Sequence, residues 1–255
     1  MKFENRVALV TGGTGNIGQA ICRKLARYGV RVAVTDVDQQ KVHDFAEQLR
    51  QEGGTVSGYV MDISSMESCR KTVAQILKDF SKIDILVNNA GIWRRARQIS
   101  LLEMDEDFWK QSVDVNLTGT YRVTKQVLPS MLEQQYGRII NLASIAGEVG
   151  LPGFSDYAAA KAGIIMMTKT LAMEVAKENI TVNSVSPGLV SDIPGEVRPS
   201  NGTWLGRSGE RDEIAEAVIF LASDNSSFIT GADMPVDGGR ILGPRFADFK
   251  MEYPS

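Results

Sequence analysis

Tyr157 and Lys161 stand four residues apart in the run Ser155-Asp156-Tyr157-Ala158-Ala159-Ala160-Lys161-Ala162-Gly163. Three alanines separate them, and alanine is the best helix former, so the stretch is expected to be helical. Residues i and i+4 then share a helix face, which aims the phenol and the ammonium into the same space. A neighbouring cation favours phenolate and lowers a tyrosine pKa from its ordinary value of about 10. The pair would make a general base in a chain whose single histidine is His43. An amphipathic helix carrying a Tyr and a Lys by chance has the same local pattern, so the pair gains meaning only from its surroundings.

The N-terminal region supplies such surroundings. Residues 6–11, Arg-Val-Ala-Leu-Val-Thr, form a mostly apolar run that suits a buried parallel strand. Gly12-Gly13-Thr14-Gly15-Asn16-Ile17-Gly18 follows, and then a helical pattern over 19–29 that stops at Gly29. Strand, glycine turn and helix in that order constitute a dinucleotide-binding context. Glycines at 13, 15 and 18 let the backbone approach a pyrophosphate and aim a helix N-terminus at its charge. A second strand over 31–35 ends at Asp36, 18 residues beyond Gly18. An acid at that distance can bind a ribose 2′-hydroxyl. It would also repel a 2′-phosphate, and Val37 offers no cation in exchange, so the expected cofactor is NAD. Asp36 could serve equally as a cap before a helix over 38–50.

The composition sets bounds. A chain of 255 residues is of ordinary size for one α/β domain. A net charge of −3 gives no bulk attraction to nucleic acid or to an anionic membrane. No apolar run approaches the length of a membrane span, and the first residues run straight into a strand rather than forming a signal peptide. Cys22 and Cys69 fall on separate expected helices, which suits reduced thiols and a cytoplasmic location. One histidine and no clustered cysteines argue against a metal site. Strands alternating with helices over residues 1–255 predict a single-domain, Rossmann-like, doubly wound parallel sheet with helices on both faces.

With these residues in place, the chain resembles a classical short-chain dehydrogenase/reductase along essentially its whole length. The resemblance rests on motifs in order: Thr11–Gly18; Asp62-Ile63 after the third strand; Asn88-Asn89-Ala90-Gly91 after a fourth strand over 83–87; Asn116; Ser144 after a fifth strand over 137–142; Tyr157 and Lys161; Pro187-Gly188 closing a sixth strand over 180–186; and Asp237-Gly238-Gly239. It implies that Asn116, Ser144, Tyr157 and Lys161 are catalytic. Tyr157 would exchange a proton with a secondary alcohol or ketone, and Ser144 would bond the reacting oxygen. Lys161 would lower the Tyr157 pKa and hold ribose hydroxyls, and Asn116 would hold a water on a proton path. It also implies that Asp62, Ile63, Asn89, Ala90, Gly91, Pro187, Gly188 and Val190 join the glycine turn and Asp36 around the cofactor. A homotetramer, or failing that a dimer, is implied through helices over 107–133 and 156–177. The second of these carries Ile164, Ile165, Met166, Met167 and Leu171.

Two positions depart from the family pattern. Asn16 stands where a glycine is usual, and it resembles the extended branch in spacing; asparagine tolerates positive φ. Asp192 stands where a threonine usually holds the nicotinamide amide, which makes Ser191 the candidate substitute. The extended-branch spacing keeps an NAD-dependent epimerase or dehydratase open, and a non-catalytic NAD-binding scaffold is the rival of another kind.

The substrate is less legible. Trp93-Arg94-Arg95-Ala96-Arg97 follows Gly91 on a loop leaving the sheet's C-terminal edge, where ligands bind in such sheets. Arg94, Arg95 and Arg97 either hold a carboxylate, sulfonate or phosphate, or are solvated beside Glu103, Asp105 and Glu106. Trp93 offers a flat wall for a sugar or a ring. Residues 191–208, rich in Gly, Pro and Ser, read as a lid loop. Residues 240–255 form a tail with Phe246, Phe249, Met251 and Tyr253, either packed on another subunit or frayed.

Overall fold

The computed structural model describes residues 3–93, 98–193 and 195–243. Seven parallel strands form one sheet: β1 Val7–Thr11, β2 Arg31–Asp36, β3 Val56–Val60, β4 Ile85–Asn88, β5 Gly137–Leu142, β6 Ile180–Pro187 and β7 Asp233–Val236, in the order β3-β2-β1-β4-β5-β6-β7. The central strands are continuous runs of Val, Ile, Leu and Ala because both faces are covered. The main helices are α1 Asn16–Arg27, α2 Gln39–Gln51, α3 Met66–Phe80, α4 Glu106–Val113, α5 Gly119–Gln134, α6 Ala146–Val149, α7 Ser155–Val175 and α8 Arg211–Ala222. One core layer joins α1, α2 and α8 to the sheet through Ile21, Leu25, Phe45, Leu49, Val218 and Ile219. The other joins α3, α5 and α7 through Val73, Ile76, Val127, Met131, Ala172 and Val175.

The chain runs outward from β1 to β3 and then returns to place β4 on the other side of β1. The strand order therefore reverses between β1 and β4, and the crevice beyond their C-terminal ends is the ligand position for this architecture. The turns that follow β1 and β4 are pinned together there. Thr11 Oγ1 accepts from the amides of Asn89 and Ala90 at 3.1 and 3.0 Å, and Asn89 Nδ2 donates to the carbonyls of Thr11 and Gly12 at 3.1 and 2.8 Å.

The expected helix over 107–133 is interrupted. One turn of π-helix, Asp114–Thr118, joins α4 to α5 and carries Asn116. Such turns recur at functional sites because the extra residue re-aims a side chain. The expected helix over 156–177 ends sooner, at Val175, in a short 3₁₀ turn. Residues 191–208 are less open than a lid loop implies. Ser200 N bonds Gly206 O at 2.9 Å and Ser208 N bonds Arg198 O at 2.8 Å, which folds the segment into a small hairpin. Buried Thr203 seats it against Gly238.

Candidate active site

An open cavity of about 820 Å³ runs along the C-terminal edge of the sheet. Its wall includes Asn116, Ser144, Tyr157 and Lys161 together with Trp93. Gly12, Gly15, Asn16, Ile17 and Asp36 line it beyond β1 and β2. Asp62 and Ile63 line it beyond β3, Asn89, Ala90 and Gly91 beyond β4, and Pro187, Gly188 and Val190 beyond β6.

The glycine turn has the shape a dinucleotide pyrophosphate needs. Gly12 has φ +60, a conformation that side chains rarely adopt. A Cβ on Gly18 would lie 2.1 Å from the Gly12 carbonyl oxygen, so Gly18 is required for the helix to close onto the turn. Gly13 packs against Val34 and Cys22 inside the core, so Gly13 and Gly18 shape the turn without lining the cavity. The start of α1 has no side-chain cap and no acid in its first turn, leaving its amides for an anion. These residues fit a nicotinamide dinucleotide. The tolerance of asparagine for positive φ is not called upon at Asn16, which opens α1; Gly12 is the left-handed residue of the turn. Its side chain works elsewhere: Nδ2 donates to the Ser191 carbonyl at 3.0 Å, and Oδ1 accepts from Arg211 Nη1 at 3.2 Å. Asp36, at the end of β2, accepts from Thr14 Oγ1 at 2.5 Å and from Val37 N at 2.8 Å. The cap of α2 is Asp38 instead, through Lys41 N.

Tyr157 and Lys161 lie on the first turns of α7, as their spacing required. Their electrostatics differ from the expectation. Burial pushes the Tyr157 phenol above its ordinary value, and its hydrogen bond with Ser144 pulls down without cancelling that. Burial pushes Lys161 down to about 8. The expected lowering of Tyr157 by the ammonium is therefore not what the protein's own groups produce. Lys161 Nζ donates to the Leu142 carbonyl at 2.7 Å and stands 5.6 Å from the Tyr157 ring centroid, and desolvation of the phenol dominates. Ser144 Oγ also accepts from Ala146 N at 3.2 Å, which fixes the hydroxyl beside the phenol.

Asn116 is fully buried, and its side chain is occupied by backbone rather than free for a water. Oδ1 accepts from Ile92 N at 3.0 Å, and Nδ2 donates to Ile92 O at 3.1 Å and Ser112 O at 3.0 Å. It thus clamps the segment that leads from Gly91 to Trp93. Trp93 stacks on Phe154 with centroids 4.4 Å apart and tilts against Tyr157 at 4.6 Å. One face of the expected ring wall is therefore taken by protein, and the indole shields the phenol. Ser191 is buried, with its hydroxyl 3.3 Å from both N and O of Ile193 and off the cavity wall; Asp192 is the residue of that loop on the wall. Arg94, Arg95 and Arg97 lie outside the described residues, as does the tail from 244 onward.

Sequence reasoning missed Arg211 as the partner of Asn16, Phe154 as the backing of Trp93, and Arg240 on the cavity wall. The signal for Arg240 was available, since it directly follows the Asp237–Gly239 turn. The Asn16 contact spans 195 residues to Arg211, and no local pattern announces it. Among the described residues no helix is long and apolar enough to cross a membrane, and no group of His, Cys, Asp and Glu could hold a metal ion.

Comparison with known proteins agrees with this geometry. A family model described as enoyl-(acyl carrier protein) reductase matches residues 13–240. The 3-oxoacyl-[acyl-carrier-protein] reductase FabG of Thermotoga maritima is 37% identical over 249 residues, which cover 95% of this chain and 100% of that one. The acetoacetyl-CoA reductase of Allochromatium vinosum is 39% identical, over 93% of this chain and 99% of its own. The crystal structure of gox2181 superposes with a TM-score of 0.89 at 36% identity, covering 95% of this chain and 98% of that one. The chain belongs to the classical short-chain dehydrogenases/reductases, oxidoreductases that act between an alcohol and a ketone with a nicotinamide cofactor.

Proposed function

We propose that this protein interconverts a secondary alcohol and a ketone with NAD, and that Tyr157 carries the proton. The observation that carries the reading is that Ser144, Tyr157 and Lys161 line one wall of the cavity that also holds the glycine turn. The nicotinamide, when bound, supplies the hydride chemistry. Ser144 orients the substrate oxygen and stabilises charge developing on it. Tyr157 gives its phenolic proton to that oxygen in the reducing direction and takes it back in the oxidising one. A phenol held above its ordinary pKa suits the donor role at neutral pH. Lys161 would bind the ribose hydroxyls and, when charged, stabilise the phenolate. Trp93 and Phe154 keep water from the reacting oxygen.

NAD rather than NADP is supported by Asp36. Its carboxylate is fixed by Thr14 and Val37 on the cavity wall, and the neighbouring wall residue Asp62 adds a second anion. The buried, unpaired thiols of Cys22 and Cys69 suit a reducing cytoplasm. A 3-oxoacyl thioester is the second substrate reading, favoured by the names of the FabG and acetoacetyl-CoA reductase relatives. A non-catalytic scaffold has no use for Ser144, Tyr157 and Lys161 on one wall. An epimerase or dehydratase would recycle its cofactor rather than release it.

The test is turnover of NADH with ketones and 3-oxoacyl thioesters, alongside the Tyr157→Phe variant. Dinucleotide consumed in stoichiometric ratio to alcohol formed, and a loss of roughly 10²–10⁴-fold in kcat for the variant with the dinucleotide still bound, are expected. Near-normal kcat in Tyr157→Phe overturns the assignment.

A further inference from the structure

The cavity wall carries a cation that the reaction does not use. Arg240 follows the turn after β7, and its backbone is fixed: Asp237 accepts from Gly239 N and Ile241 N, both at 2.8 Å. Its guanidinium lies over the backbone of Gly202 in the hairpin. A Cβ at Gly202 would sit 2.8 Å from Arg240 Nη1, so the glycine leaves the space the guanidinium fills. Among the described residues that guanidinium makes no ion pair or hydrogen bond. Asp192 shares the wall and is not without a partner. The other cation on the described wall is Lys161, whose Nζ is held by Leu142 O.

The topology sets the spacing. Ser144 follows β5, and Arg240 follows β7 with β6 between them. Neighbouring strands lie about 4.8 Å apart, so these two strand ends are separated by about 10 Å. The wall also carries the apolar residues Val149, Leu151 and Leu189, and an anion reaching Arg240 would meet no competing cation on the described wall beyond Lys161. A planar guanidinium with free donors pairs best with a carboxylate, sulfonate or phosphate, in fork geometry.

We propose that Arg240, seated on Gly202, is the substrate-anion site, and that the substrate is a ketone or alcohol with an apolar linker ending in an anion several bonds from the reacting carbon. This rests on the alcohol–ketone reading of the same cavity.

The experiment measures binding, not turnover. Alkanoates and phenylalkanoates of graded length, and their primary amides, are titrated calorimetrically into the protein saturated with reduced dinucleotide. At one chain length the carboxylate is expected to bind about tenfold or more tighter than its amide, and Arg240→Gln is expected to remove that preference. Arg240→Lys keeps part of it. Gly202→Val displaces the guanidinium and removes it with Arg240 still in the sequence. Tyr157→Phe keeps it, so the anion site is read separately from the proton chemistry: loss of turnover without a carboxylate preference ends this inference alone. Absence of carboxylate binding, no preference at any length, or a preference that survives Arg240→Gln overturns it.

Discussion

Asn16 Nδ2 donates to the Ser191 carbonyl at 3.0 Å, joining the first turn of α1 to the loop that leaves β6. Arg211, at the start of α8, holds the same amide from its other end at 3.2 Å. A glycine at position 16 would give a cofactor-binding turn with no side-chain link to that loop. The asparagine makes the loop's position depend on the turn's. One neutral hydrogen bond contributes about 0.5–1.5 kcal/mol net, a factor of roughly two to ten. Asn16→Gly is therefore expected to raise the dinucleotide KM by about that factor with little change in kcat at saturation, and to speed amide exchange across residues 189–193. Unchanged KM and unchanged exchange would show that the loop is held by its own Ser191–Gly209 bond.

The buried lysine makes a pH prediction with a definite sign. Lys161 falls from 10.5 to about 8 on folding. Between those values the unfolded chain binds a proton that the folded chain does not, so this group's contribution to stability rises with pH from 8 to 10.5. Tyr157 is shifted upward, so the unfolded phenol loses its proton first and stability falls as pH rises through and above about 10. Cys22 and Cys69, both raised by burial, also act downward, from about pH 9. The difference between the protein and Lys161→Met isolates the lysine. That difference is expected to change by on the order of 3 kcal/mol across pH 8–10.5 in denaturant titrations. A difference flat in pH would mean that Lys161 is solvated and charged.

The parts of the fold that sequence shows well are those that local chemistry dictates. The strand ending at Thr11, the glycine turn and the Tyr157–Lys161 face need only nearby residues, and they form as their patterns require. The π turn at Asn116 is not encoded in periodicity, because an extra residue inside a helix leaves the apolar pattern on both sides intact. The role of the Asn116 side chain was invisible for the same reason. Beyond the local Ser112 carbonyl, its partners are the N and O of Ile92, 24 positions earlier, and these are known only once β4 lies beside the π turn. The sign of the Tyr157 shift also escapes local reasoning. A cation four residues away is a sequence fact, whereas burial beside Trp93 is a tertiary one, and here desolvation dominates.

Asp36 yields a cofactor prediction. A 2′-phosphate beside its fixed carboxylate would face repulsion without a compensating cation from Val37 or Asp62. NAD is expected to exceed NADP by at least about tenfold in kcat/KM, about 1.4 kcal/mol. Asp36→Ala should narrow the gap by weakening NAD and admitting NADP. Equal use of both cofactors by the unaltered protein would show that the carboxylate serves Thr14 alone.

The surface of α7 supports an assembly. Ala172 and Val175 are buried in the core layer on the sheet, and Ile164 and Ile165 in a smaller cluster with Ala143 and Leu117, yet Met166 is 60% and Met173 is 76% exposed. Seven residues is close to two helical turns, so the two methionines share one outward stripe. On α5, Tyr121 and Leu132 are also exposed large apolar groups. A helix with an apolar outer stripe as well as an apolar inner face has more to bury than its own sheet contact. We propose that a second copy of the chain supplies it; burying one methionine fully contributes about 1.5–3 kcal/mol. A two-fold pairing places each stripe in the interface once per subunit, so one substitution acts twice. The protein is expected to be a homotetramer, or failing that a dimer, by light scattering at micromolar concentration. Met173→Glu should lower that mass while circular dichroism stays the same, because the side chain touches little of its own subunit. A monomeric mass for the unaltered protein would leave the stripe without a function, and an unchanged mass in Met173→Glu would move the interface off α7.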